Sequence, residues 1–415
     1  MPVSQKVHKI ELRDLQSVLR KKLGNSISVV NYNVEPLLQP GENYGSSIFK
    51  VHAIITRGEG KEERLDLVAK MMPATDFQRE IFCSSLTFRK EIFLYDTLIP
   101  AYKDLEREFG VEEEELFDIV PEFFGSRLSM IPNREIDEDA VILLQNLKAQ
   151  GYYMADRREG LDLEHAKVAV SNLARFHALG IAMKLHKPSF FEIVKSQATL
   201  IEQQEGEWNY VECVKTFQKI FRNDAEISKY QDQIDRGLMQ DVVKITNELP
   251  PEPWSTIVHA DFWINNFMFK NNPLTGKVVS IKFVDFQNFL YLTVTRELAV
   301  CLVSNSSADV MENHFNELID HYYGNFIQIL KRMQCDVGQF SRDKFDERLA
   351  IDAFKIFPFL PFSIKIMTDD VKRSSNSSDV REVFHNIRVN DQFLQKMRKC
   401  VEKFDEMNWF QDREG

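Results

Sequence analysis

The chain has 415 residues, a length that suggests two or three compact units, and its 44% hydrophobic and 28% charged residues match ordinary globular usage and exclude wholesale disorder. Its 52 basic and 63 acidic residues give a formal charge of −11. With no dense Lys/Arg block, that balance argues against sequence-independent nucleic-acid binding and against docking on anionic lipid.

Near the N-terminus, Ile10, Leu12, Leu15, Val18, Leu19 and Leu23 recur at helical spacing, which predicts an amphipathic helix over Val7–Leu23. Three β-like runs follow at Ser28–Val34, Ser46–Thr56 and Leu65–Met72. The turn cluster Gln39–Gly45 separates the first two. A long helical pattern over Gln78–Leu98 is closed by Pro100, and an acidic, solvated helical stretch follows at Glu112–Glu115. Further strands are expected at Phe123–Leu128 and Ala140–Leu144. From Asp162 the pattern turns helical. One face carries Leu163, Ala166, Val170, Leu173, Ala174, His177 and Ile181, and other helices are expected at Tyr210–Phe221, Ile234–Glu248, Met311–Met333 and Phe384–Met407. Between them, Phe267–Lys270 and Val278–Val284 read as two short strands joined by the hairpin-turn chemistry of Asn271–Gly276.

The five cysteines (Cys83, Cys213, Cys301, Cys335, Cys400) form no C-x-x-C pair, so free thiols in a reducing compartment are expected rather than a zinc site or a disulfide framework. Residues 1–12 lack the apolar core of a signal peptide, and no apolar run approaches the ~18 residues of a membrane span. The expectation is a cytoplasmic protein with no membrane span and no nucleic-acid partner. Nothing in the sequence sets its oligomeric state.

Chemistry concentrates in His259-Ala260-Asp261 and Asn266, which open the polar hairpin, and in Asp285, which follows its second strand. Two carboxylates and an amide gathered at one end of a hairpin suit phosphoryl transfer. Asp261 orients or deprotonates an attacking hydroxyl, Asn266 and Asp285 hold Mg2+ against a triphosphate, and His259 braces the loop by hydrogen bonds. The frame H-x-D-x-x-x-x-N arises by chance in on the order of a few per cent of chains this long, so its companions matter. Lys70 sits near the end of an apolar strand, as a phosphate-binding lysine should. Glu91 on the next helix is its candidate ion-pair partner, with Glu80 as a rival. Gly41 and Gly45 lie upstream, where a phosphate-covering loop belongs. The order of these residues along the chain is that of a kinase. His177 reads as a hydrogen-bonded core histidine. The run Phe354, Phe357, Phe359 and Phe362 reads as core before it reads as an apolar acceptor pocket.

The segments Phe88-Arg89-Lys90-Glu91-Ile92-Phe93-Leu94-Tyr95 up to Pro100, Leu173-Ala174-Arg175-Phe176-His177-Ala178, His259 to Asn266, and Val284-Asp285-Phe286-Gln287 resemble the ecdysteroid kinase-like group of the choline/aminoglycoside kinase-like superfamily. The resemblance covers nearly the whole chain. Phe262-Trp263 after the catalytic aspartate, and Gln287 where protein kinases carry glycine, are its most diagnostic marks. It implies an α+β, bilobal protein-kinase-like fold. An N-terminal antiparallel sheet lobe (1–144) would lead through a hinge (145–147) into a larger, mainly helical C-terminal lobe (148–415). It implies ATP and Mg2+ as cofactors, adenine read beside Gln145 and Leu147 by backbone groups, and a small-molecule alcohol as acceptor. Steroid-type alcohols are the best-known acceptors, with choline-like and xenobiotic alcohols as alternatives. Arg296-Glu297-Leu298 carries Glu where relatives commonly have Asp, a position read as structural. A protein kinase is disfavoured, because no His-Arg-Asp, Asp-Phe-Gly or Ala-Pro-Glu is present and helix resumes by about Arg296. A catalytically dead member that binds nucleotide or a lipophilic ligand is the remaining alternative, and the full set of catalytic residue types speaks against it.

Overall fold

The computed structural model describes residues 11–37, 45–58, 60–200, 210–368 and 387–413. Strands β1 (Ile27–Pro36), β2 (Ser47–Arg57), β3 (Glu63–Met71), β4 (Phe123–Arg127) and β5 (Val141–Gln145) form one antiparallel sheet in the order β1-β2-β3-β5-β4. Side chains alternate across this sheet at the strand period of two. Leu65, Leu67, Ala69 and Met71 of β3 therefore share a small core with Leu15, Val18 and Leu19 of helix α1 (Leu15–Leu23). The same alternation sends Lys70, paired in register with Ile48 and Ile142, to the opposite face. The expected helix start at Val7 lies outside the described residues. Residues 11–14 are not helical, because Asp14 caps α1 by accepting from Ser17 N at 3.3 Å.

The single helix expected over Gln78–Leu98 is three elements. Thr75 caps α2 (Asp76–Ile81), the chain breaks at Phe82 and Cys83, and α3 (Ser84–Phe93) runs through a π turn at Leu94–Leu98 into α4 (Ile99–Glu108). Pro100 does not close the helix. It stands in the first turn of α4, a place where a missing N–H breaks no helical bond. The acidic stretch is a short, exposed 3-10 turn at Glu113–Glu115.

The remainder is mostly helical: α5 (Leu163–His186), α6 (Pro188–Gln197), α7 (Tyr210–Arg222), α8 (Gln231–Leu238), α9 (Val242–Asn247), α10 (Val294–Asn305), α11 (Ala308–Asn313), α12 (Phe315–Arg332), α13 (Arg342–Ile356), α14 (Leu360–Thr368) and α15 (Asp391–Glu406). Two expected helices are split. Asp241 accepts from Lys244 N at 2.9 Å and starts α9 as a new helix, and the chain breaks at His314 between α11 and α12. Residues 384–386 of the last pattern lie outside the described residues. Two small ribbons complete the molecule, β6 (Ser255–Val258) with β9 (Leu290–Thr293), and β7 (Phe267–Asn271) with β8 (Val278–Phe283). The β7–β8 turn closes with Gly276 at φ 71, its N–H donated to Asn272 O at 2.8 Å. Phe357 packs edge-on against Phe404 and Phe410, and Phe362 stacks on Tyr210, so the phenylalanine run is core except for Phe359, which is 38% exposed. All five cysteines are free. Among the described residues no helix is long and apolar enough to cross a membrane.

Helix α5 passes under the β6 ribbon through Gly180. A Cβ there would press into Thr256 Oγ1 and lie 2.9 Å from the Tyr102 hydroxyl. Gly180→Ala should therefore destabilise the protein by about 1–3 kcal/mol, measured as a lower denaturation midpoint. An unchanged midpoint would show that the contact relaxes freely.

Candidate active site

The β7–β8 hairpin brings the sequence-derived residues together. The segment His259–Asn266 runs from the end of β6 to the start of β7, and Asp285 follows β8. Val284 N donates to Asn266 O at 3.0 Å, and Val284 O accepts from His259 Nε2 at 3.0 Å. The backbone beside Asp285 is thus gripped from both sides by the loop that carries Asp261. On its other edge the His259 ring accepts from Asp261 N through Nδ1 at 3.3 Å. Burial lowers the pKa of this ring, which suits a neutral imidazole with its proton on Nε2. Asn266 donates through Nδ2 to Asp261 O at 2.8 Å and to its Oδ2 at 3.2 Å.

Lys70 reaches this hairpin from the sheet. Its ammonium donates to Glu91 Oε2 at 2.6 Å, to Asp285 Oδ1 at 2.6 Å and to Gln287 Oε1 at 3.3 Å. Burial works against its charge, but Asp285 and Glu91 together hold its pKa above the ordinary value. Burial pushes the Glu91 carboxyl up against the pull of Lys70, and Glu91 Oε1 has no hydrogen-bond partner. Asp261, half-buried at the mouth of the loop, is pushed up to about 7 by burial and by the charge of Asp285. One ammonium thus faces three carboxylates, Glu91, Asp285 and Asp261.

Of the remaining sequence candidates, Gly45 lies against this cluster. A Cβ added there would sit 3.5 Å from the Gln287 amide. Gly41 lies outside the described residues. Gln145 ends β5 with its N–H donated to Glu122 O, and the Leu147 carbonyl accepts from Gln150 N and Tyr152 N, so these groups are used within the chain itself. Glu80 is exposed on α2 and does not reach Lys70, whose carboxylate partners are Glu91 and Asp285.

Two residues that sequence reasoning left out of the site hold the loop in shape. Ala260 and Asp285 both adopt left-handed backbone angles, φ 61 and φ 66, conformations that cost an L-residue on the order of 1–3 kcal/mol. Glu297 of α10 compensates at Ala260. Its Oε1 accepts from Ala260 N at 2.6 Å and its Oε2 from His259 N at 3.0 Å. Hydrogen bonds to a charged group contribute about 1.5–3 kcal/mol each, enough to offset the strain. His177 donates to the same Oε2 at 2.9 Å through Nε2 and accepts from Tyr322 OH at 2.7 Å, so it is the hydrogen-bonded core histidine expected. Burial opposes the Glu297 charge, yet His177 and His259 keep its carboxyl below the ordinary range. About two turns on, Asn305 accepts from Ile264 N at 2.9 Å and donates to Phe262 O at 3.1 Å. A buried carboxylate and a buried amide on one apolar helix were the available signal.

The donor chemistry fits a magnesium–triphosphate group. The carboxylates and the Asn266 amide are hard oxygen donors, their negative charge exceeds that of Lys70, and Glu91 Oε1 lacks a partner. Among the described residues no group of three His, Cys, Asp or Glu gathers that could hold a metal ion by itself.

The fold is therefore α+β, a five-stranded antiparallel sheet followed by a mainly helical part. More narrowly, the model of the ecdysteroid kinase-like family matches residues 40–335, and the chain belongs to that family. No curated protein matches it. Among solved structures it is similar to an ethanolamine kinase of Plasmodium vivax, at 10% identity over 92% of this chain and 83% of that one, with a TM-score of 0.38. It is also similar to an aminoglycoside phosphotransferase of Alicyclobacillus acidocaldarius, at 12% identity over 95% and 93%, with a TM-score of 0.40. A choline kinase of Streptococcus pneumoniae matches at 11% identity over 94% and 99%, with a TM-score of 0.34.

Between the ordinary aspartate value of 3.8 and about 7, folded wild type retains a proton on Asp261 that the unfolded chain has released, so unliganded wild type loses stability as pH rises. Asp261→Asn removes this loss. Its denaturation midpoint should rise relative to wild type across that window, and a pH-independent difference would contradict the assignment.

Proposed function

We propose that the chain is an ATP-dependent small-molecule kinase that transfers the γ-phosphoryl group to a hydroxyl of a lipophilic alcohol such as an ecdysteroid. The observation that carries this is the buried Lys70 ammonium held between Glu91 and Asp285, beside the Asp261–Asn266 pair, in a member of a small-molecule kinase-like family. Lys70, aimed by Glu91, binds the phosphates of ATP. Asn266 and Asp285 would hold Mg2+, which would supply positive charge to offset that of the phosphates. Asp261 orients the acceptor hydroxyl and takes its proton. The hydroxyl oxygen forms a bond to the γ-phosphorus, the bond from that phosphorus to the bridging β–γ oxygen breaks, and ADP leaves. His259 keeps Asp261 and Asp285 in register through the Val284 carbonyl.

In this scheme the sheet part within residues 1–144 covers the nucleotide, with Gly45 beside the phosphates. Residues 145–147 form a hinge with Gln145 and Leu147 beside adenine, and residues 148–415 hold the acceptor. The half-buried Trp263 next to the base favours a lipophilic alcohol over a highly charged one. The cytoplasm supplies the ATP and the reducing conditions that five free thiols favour.

Purified protein with Mg-ATP should add one phosphate to a member of a panel of sterols, amino-alcohols and plant phenolic alcohols, read by mass spectrometry. Asp261→Asn should lower turnover by about 10²- to 10⁴-fold while leaving ATP affinity largely intact. No phosphorylated product across the panel, with ATP still bound, would instead mark a binding protein without turnover.

A further inference from the structure

Glu91 serves Lys70 only if α3 presents the right face, since adjacent residues on a helix point about 100° apart. The start of α3 does little to fix that face. Cys83 supplies no side-chain cap at its start, and its last turn passes into the π turn at Leu94–Leu98. The neighbouring Lys90 makes the bond that the start does not. It is 1% exposed, and its ammonium lies 5.1 Å from the centre of the Phe289 ring, four residues beyond Asp285. The same ammonium donates to Thr199 O at 2.8 Å, just past the end of α6. Among the described residues no carboxylate pairs with it, and burial pulls its pKa down to about 8. A buried charge without a counter-ion is costly, and a methionine would fill the same space without that cost. What the charge adds is one directional bond from the helix that carries Glu91 to the helical part of the molecule.

We infer that Lys90 is a positioning residue. By tying α3 to the Thr199 carbonyl across Phe289, it sets the helix rotation that brings Glu91 to Lys70. This inference rests on the kinase assignment, because it makes phosphate binding at Lys70 depend on a contact with α6. Lys90 itself touches neither nucleotide nor acceptor.

The test is a double-mutant cycle. Affinity for the Mg2+ complex of a non-hydrolysable ATP analogue is measured by calorimetry on wild type, Lys90→Met, Glu91→Gln and the double variant. Lys90→Met should weaken binding about tenfold, the effect of one charge-assisted hydrogen bond. It should melt no lower than wild type, because the buried charge is gone. Added to Glu91→Gln it should cost less than about twofold, because both changes break one chain of contacts. Should Lys90→Met fail to fold, Lys90→Gln takes its place in the cycle. Unchanged affinity in Lys90→Met, or full additivity with Glu91→Gln, overturns the inference alone. Wild type that binds no analogue overturns the kinase assignment and the inference with it.

Discussion

One buried ammonium joins the parts of the candidate site. Lys70 leaves the middle of the sheet, and its three donated bonds end on α3, on the loop after β8 and on the turn that follows it. Desolvation alone would strip its charge, as a buried lysine without partners shows a depressed pKa. Two carboxylates at 2.6 Å reverse that outcome, and they can do so only if the sheet, the helix and the hairpin stand in one fixed arrangement. The ion cluster is therefore both a product of the fold and a restraint on it. Its surplus of negative charge leaves it suited to a divalent cation and a phosphate chain.

The loop that faces Lys70 is held by different means. Ala260 and Asp285 sit in strained backbone conformations, and such strain persists only where the surroundings over-determine it. Here the surroundings are a carboxylate and an amide rising from α10, with His177 and Tyr322 behind the carboxylate. Asp261 is thereby fixed in place while its own carboxyl stays half-buried at the mouth of the loop.

The sequence showed the chemical residues better than their supports. His259, Asp261, Asn266 and Asp285 were legible because local turn chemistry at Asn271–Gly276 forces a hairpin, and a hairpin brings its two ends together whatever the rest of the chain does. Lys70 was legible from its place near the end of an apolar strand. Glu91 was legible as its partner ahead of the rival Glu80, and the break at Phe82 and Cys83 that sets α3 apart from α2 is what separates the two. Pro100 misled because its signal stops a helix only from the interior, and the π turn before it resets the first turn. Glu297 stands out in the sequence where relatives carry Asp, but its bonds span more than thirty positions along the chain, and no local pattern encodes such a contact. Asn305, whose contacts lie as far away, left no mark beyond a polar residue in an apolar helix.

The central claim is transfer, not mere binding, of phosphate. It is tested most directly by phosphorus NMR of Mg-ATP incubated with the protein and a hydroxylated lipophilic extract. The account predicts loss of the γ-phosphate resonance, matched by ADP and by a new phosphomonoester signal that partitions with the organic acceptor. ATP that remains intact, or that yields only free inorganic phosphate, would contradict it.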